Sequence, residues 1–219
     1  MSLTFIPSTA GHYQCLSTDI AANKVTGASY IGATLYTTDT GLWYRILPDY
    51  TLAPLSPIGQ AKGATSNDSF GRPTDTTPYS IKDVVNLPTP GLMTFDNVVR
   101  VAGGTFYIVK ARLVTSLSTN TASYRLHLYD VDTITPIADN APFTLLMAGN
   151  NHKIGYIDFA GTSTEGAGSD IAESINSTVR LYGKCDAADT AIYGVLQVLD
   201  AQTPSSAQIF DITLEIEQE

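Results

Sequence analysis

The sequence predicts an all-β protein: an antiparallel β-sandwich, jelly-roll or Greek-key, preceded by a small N-terminal β-hairpin module. Three observations carry this. Thr, Val, Ile and Tyr are frequent, with 12 Tyr, and β-branched and aromatic residues suit pleated, half-buried surfaces. The 17 Gly and 11 Pro are spread along the chain as punctuation, marking many short turns. No long stretch holds a helical apolar stripe, whereas several short ones alternate with period two.

Residues 30–36 read as a strand, Thr38-Asp39-Thr40-Gly41 as a turn, and 42–47 as the return strand. Pro48-Asp49 makes a second turn before Thr51-Leu52-Ala53. Two or three strands bury too little surface to be stable alone, so a module at 1–55 needs a partner surface. Residues 56–72 then lose their apolar pattern through Pro57, Gly59, Gly63, Ser66, Asn67, Ser69 and Gly71, which reads as a linker. The sandwich is expected over 73–219.

Within the sandwich, strands are expected at 92–101, 106–114, 124–128, 143–147, 153–159, 179–184, 192–199 and 210–217. The last is the clearest. Phe210, Ile212, Leu214 and Ile216 alternate with Asp211, Thr213, Glu215 and Glu217, so one face is apolar and the other polar. Residues 192–199 are apolar on both faces, as in a central strand covered on both sides. Asp170 to Ser177, with Ile171 and Ile175 four apart, is the best helical candidate and would be a short turn on a loop. About eight strands at this spacing fit a two-sheet sandwich.

Charge narrows the function. Only 15% of residues are charged, and 21 Asp+Glu against 12 Lys+Arg leave a net charge of −9. Nucleic-acid affinity comes largely from neutralised phosphates, so DNA or RNA is not the expected partner. Docking on anionic lipid is disfavoured on the same ground. No apolar run approaches the roughly 20 residues of a membrane-crossing helix. The opening Met1-Ser2-Leu3-Thr4-Phe5-Ile6-Pro7 lacks the basic and apolar regions of a signal peptide, so synthesis and folding in a cytoplasm are expected. Cys15 and Cys185 show neither redox nor zinc spacing and read as free thiols. Two glycosylation sequons, at Asn67 and Asn176, read as chance matches.

Motifs for chemistry are weak. There is no G-x-S-x-G, and His12, His127 and His152 lie in unrelated contexts. His127, on the opposite strand face from Leu126 and Leu128, reads as a surface or sheet-edge histidine. Gly183-Lys184-Cys185 lacks the upstream glycine and the hydroxyl of a phosphate loop. Gly166-Ala167-Gly168 opens like a dinucleotide fingerprint, but Ile171 holds the third glycine position. Asp130, Asp132 and Asp139-Asn140 cluster around Pro136. Such oxygens can hold Ca²⁺, but Asp and Asn more commonly cap turns; Asp186 and Asp189 read the same way. No catalytic residue, cofactor or metal ligand is therefore expected. A pair of carboxylates acting on a glycosidic bond would leave no local motif. The remaining feature is aromatic: Tyr13, Tyr36, Trp43, Tyr44 and Tyr50 in the N-terminal module. Tyr and Trp anchor interfaces, so these are the interface candidates. They would dock on another chain, cover the module's own core, or form a sugar platform.

Two stretches carry a family resemblance. The first is Phe70-Gly71-Arg72-Pro73-Thr74-Asp75-Thr76-Thr77-Pro78-Tyr79-Ser80-Ile81-Lys82-Asp83-Val84-Val85. The second is Tyr124-Arg125-Leu126-His127-Leu128-Tyr129-Asp130, continuing through Pro136-Ile137-Ala138-Asp139-Asn140-Ala141-Pro142-Phe143-Thr144-Leu145. Both resemble tailed-bacteriophage virion structural proteins of the head decoration, cement or head-fibre type. The hairpin around Asp39-Thr40-Gly41-Leu42-Trp43-Tyr44 is similar to small N-terminal modules of such proteins. The resemblance implies a non-enzymatic protein on the capsid exterior of a virion, partnered by the major capsid protein. It also implies a homo-oligomer, a trimer rather than a dimer. The alternative is a fibre, tail or adhesin-like module that binds carbohydrate or a host surface.

Overall fold

The computed structural model describes five strands before residue 56, at 4–6, 12–15, 34–37, 43–46 and 52–55, and residues 62–218 apart from 165 and 167. The chain divides into two compact units, Met1–Gln60 and Ala61–Glu219.

The first unit holds β1 (Thr4–Ile6), β2 (His12–Cys15), β3 (Thr34–Thr37), β4 (Trp43–Ile46) and β5 (Leu52–Leu55) in one sheet, ordered as in the sequence. β3, β4 and β5 form the antiparallel meander expected from the turn residues. β1 and β2 extend it, and β2 runs parallel to β3. A parallel neighbour needs a long crossover rather than a tight turn, so local turn chemistry does not announce it.

The second unit is an antiparallel β-sandwich. One sheet runs β11 (Lys153–Phe159), β10 (Tyr124–Tyr129), β15 (Ile192–Val198), β7 (Val84–Val85), with β8 (Met93–Phe95) also on β15. The other runs β12 (Ser163–Thr164), β13 (Ala172–Asn176), β9 (Thr105–Thr115), β16 (Ile209–Gln218), β6 (Lys62–Gly71), with β14 (Leu181–Lys184) also on β9. The core lies between them. Phe210, Ile212, Leu214 and Ile216 of β16 are buried, as their alternation predicts, and face Tyr124, Leu126 and Leu128 of β10. Phe70 stacks on Phe210 at 5.6 Å, and Tyr124 meets the same ring edge-on at 5.5 Å.

β9 changes parity midway. Phe106 and Ile108 point inward, and so do Ala111, Leu113 and Thr115, because Val109 and Lys110 are both turned outward. The register against β16 shifts at Glu215/Ile216 to match. One extra residue in a ladder rotates everything beyond it by one step. β15 is buried on both faces, as expected, because the segment after β10 folds back over its outer side. There Val195 packs with Val84, Tyr129, Phe143 and Leu145 in a second apolar cluster.

Four sequence expectations are corrected. Residues 62–71, assigned to the 56–72 linker, form β6, which pairs with β16 along its whole length. An edge strand takes its hydrogen bonds from its neighbour and can stay polar; among the described side chains of β6, only Ser66 and Phe70 are buried. Residues 170–177 are not a helical turn but contain β13, paired with β9. A spacing of four fits a strand as well as a helix, since four is even. Residues 143–146 are extended but unladdered, and Met147–Asn150 form a single helical turn, α1. Ten strands, β7 to β16, rather than about eight, follow residue 81 among the described residues, three of them only two or three residues long.

Candidate functional site

The aromatic candidates fall into the N-terminal sheet. Tyr36 pairs in register with Trp43, and Leu35 with Tyr44. Tyr13 is the register partner of Leu35 across β2 and β3. Phe5, Tyr13, Leu35, Tyr44 and Pro54 thus hold one row of positions across five strands. Gln14, Tyr36, Trp43 and Leu55 hold the next row, and successive rows face opposite sides. Tyr13 and Tyr44 therefore share one row of positions, Tyr36 and Trp43 the next. Tyr50 lies outside the described residues.

In the sandwich the most concentrated polar group is a buried knot around Arg72, whose side chain is fully buried. Its Nε donates to the Tyr79 hydroxyl at 2.8 Å. Nη2 meets Asp75 Oδ1 at 3.0 Å and Asp139 Oδ2 at 3.1 Å. Tyr79 donates to Asp139 Oδ1 at 2.6 Å, and the Asn86 backbone N–H reaches the same oxygen at 2.9 Å. Burial, then the Asp139 carboxylate, holds the Tyr79 phenol far above its ordinary range. The knot ties the segment after β6 to Asn86 and to the Asp139 loop. It clamps three loops, which is a structural task.

The other sequence-marked groups sort in the same way. Asp139 is occupied by Arg72 and Tyr79, and Asp130 lies 2.9 Å from His152 Nδ1. The acidic cluster therefore does not converge, and no group of three potential metal ligands exists among the described residues. Asp186 Oδ1 accepts from the Ala188 N–H, and Asp189 accepts from Thr190, Ala191 and the Tyr193 hydroxyl. Both cap a turn. Gly183 is required by packing: a Cβ there would sit 2.3 Å from Phe106 Cζ. Cys185 is a buried free thiol that burial pushes up to about 12, well above the range of a reactive thiolate.

His127 departs from expectation. It stands on the outer face of its sheet but is only 4% exposed, because Phe143 stacks on its ring at 4.1 Å. Nε2 donates to Gln197 Oε1 at 3.2 Å. Nδ1 is the one fully buried side-chain polar atom without a partner among the described residues. Burial, with the nearby Lys153 and Arg125 charges, pulls its pKa down to about 4.

Beside this ring a cavity of ≈380 Å³ opens between the outer face of β10 and β15 and the segment 133–149. Ile134, Ile137, Phe143, Leu145 and Val195 line it together with three threonines, Tyr129 and His152. No local motif marks it, since its walls come from segments distant in sequence. Exposed tyrosines also lie on the sandwich. Tyr156 is 50% exposed and carries the Arg125 guanidinium 3.9 Å from its ring centre; Tyr182 is 52% exposed and lies 5.3 Å from Tyr107. Sequence reasoning singled out neither.

No protein-family model matches the chain, and no curated protein matches it. Among solved structures, one similarity is to the N-terminal CBM22-1-GH10 modules of Clostridium thermocellum endo-1,4-beta-D-xylanase 10B complexed with xylohexaose. It has 11% identity and a TM-score of 0.29, and covers 69% of this chain and 26% of that one. Another is to the Gt strain of infectious bursal disease virus, at 13% identity and TM-score 0.17, covering 83% and 49%. The chain thus spans about a quarter of the first structure's length and half of the second's.

Proposed function

We propose that this chain is a non-enzymatic virion structural protein of a tailed bacteriophage: an oligomeric head decoration protein that binds the outer capsid surface and stabilises the shell. One observation carries the reading. The conspicuous polar residues of the two stretches that carry the family resemblance, Arg72, Asp75, Tyr79 and Asp139, are all engaged with one another, so they serve folding. The separate N-terminal sheet, with its rows of aromatic positions, is the attachment and assembly candidate. Its five strands are three or four residues long, and short strands of this kind gain stability from a partner surface. Purified protein should form a homo-oligomer, co-sediment with undecorated phage heads and raise their heat resistance. Deleting residues 1–60 should abolish co-sedimentation. A monomer indifferent to heads would refute the assignment.

A second reading is a module that binds carbohydrate or a host surface. The exposed Tyr156 and Tyr182 rings on the sandwich favour it. It requires glycan or cell binding by the isolated protein, weakened by Tyr156→Ala or Tyr182→Ala.

A further inference from the structure

The cavity on the outer sheet face is not accounted for by attachment to a capsid. At ≈380 Å³ it is well above the roughly 150 Å³ that admits a single benzene ring. Its wall is mainly aliphatic and aromatic, and no lysine or arginine belongs to it. The imidazole in its lining, His152, has its Nδ1 2.9 Å from Asp130 Oδ1.

One polar group in this wall is unfulfilled. Tyr129 is 1% exposed, and its phenol, pushed up to about 12, is perturbed by burial alone, with no hydrogen bond contributing. It has no hydrogen-bond partner among the described residues. Yet it is not among the fully enclosed unpartnered atoms, which are limited to His127 Nδ1. Its hydroxyl therefore borders open space, and the space that Tyr129 lines is the cavity. The other polar side chains of the lining, Thr133, Thr135 and Thr144, are exposed and His152 is half-buried, so a water at the Tyr129 hydroxyl would find few buried partners, whereas stable buried waters make about three hydrogen bonds. A ligand that is apolar over most of its surface and carries one oxygen matches both features.

We propose that this cavity binds a small uncharged molecule, about two rings in size and mostly apolar, whose single hydroxyl or carbonyl oxygen pairs with the Tyr129 hydroxyl. An anion would meet no lysine or arginine. A cation would meet no carboxylate in the lining. The inference is independent of what the chain attaches to.

The test uses the full chain with three probes: 2-naphthol, naphthalene and 2-naphthalenesulfonate, followed by thermal shift and titration calorimetry. 2-Naphthol should raise the melting temperature with dose, and the sulfonate should not. Tyr129→Phe should weaken 2-naphthol by about tenfold, the worth of one hydrogen bond, and leave naphthalene unchanged. Unchanged naphthalene binding also shows that the variant is folded. Thr144→Trp, which fills the cavity from an exposed wall position, should abolish both. Absent 2-naphthol binding, binding indifferent to Thr144→Trp, or equal binding of the sulfonate would each overturn the proposal. So would failure of 2-naphthol to bind combined with protection of the exposed Met147 from oxidation on assembled heads, which would assign the cavity to protein docking.

Discussion

The Tyr79 hydroxyl lies 2.6 Å from Asp139 Oδ1, 60 positions away in the chain, and the other oxygen of the same carboxylate lies 3.1 Å from Arg72 Nη2. The Arg72 side chain is fully buried and that of Asp139 7% exposed, so removing the carboxylate leaves a buried cation with the half-exposed Asp75 as its one carboxylate partner among the described residues. Asp139→Ala should destabilise the sandwich by about 3–5 kcal/mol. Tyr79→Phe should cost about 1–3 kcal/mol. Urea unfolding of both singles and the double variant checks this. Additive effects would show that the two residues are not coupled.

His127 should make the sandwich acid-sensitive. Its folded pKa of about 4 lies below the ordinary 6.5, so between these values the unfolded chain binds more protons. Stability is unaffected above about pH 6.5, falls as pH drops towards 4, and levels off below. The full loss is about 3 kcal/mol, from about 1.4 kcal/mol per pH unit. Burial is the largest cause; Lys153 and Arg125 add to it, while the Gln197 hydrogen bond and, more weakly, Asp158 favour the proton. Comparing unfolding of wild type and His127→Gln at pH 7.5 and 4.5 isolates the term. An equal acid loss in both proteins would rule it out.

The position of β6 sets where the sandwich can be cut. A chain starting at Ala61 keeps β6 and should unfold cooperatively. A chain starting at Pro73 loses the β16 partner and the Phe70 ring stacked on Phe210. Removing such a buried ring costs about 3–5 kcal/mol, and an uncovered β16 edge invites pairing between chains. The shorter chain should aggregate or melt lower in a scattering-monitored thermal scan. Equal melting would contradict the assignment of residues 62–71 to the sheet.

Gly183 and Gly155 should respond differently to alanine. At Gly183 the new methyl would meet the buried Phe106 ring at 2.3–2.9 Å, and at Gly155 the tip of Leu181 at 2.8 Å. A core ring moves less readily than the end of a leucine. Gly183→Ala should cost about 1–3 kcal/mol and Gly155→Ala less, read from denaturation midpoints at constant m.

Legibility followed the range of the interaction. Phe210, Ile212, Leu214 and Ile216 announce β16 because the strand's own alternation places them on the core. Phe143 and Leu145 resemble a strand for the same reason, since an extended cover segment has the same period; what it lacks is a laddered neighbour. β6 was illegible because its hydrogen bonds come from β16, about 140 residues away in the pairing of Phe70 with Phe210. The Arg72 knot was illegible because none of its members is unusual locally. Of the site candidates, Tyr13, Tyr36, Trp43 and Tyr44 are placed on strands, while Tyr129 and Tyr156 entered only through the fold.

The sequence by itself determined the all-β class, the turn-rich layout and the inward faces of β10, β15 and β16, because these rest on period-two burial within single segments. Only the tertiary structure decided that residues 62–71 belong to the sandwich, that Arg72 is buried against Asp139, and that residues 133–149 roof a cavity over Tyr129. Those features are pairings between distant segments, and composition and periodicity hold no record of which distant partner a segment will meet.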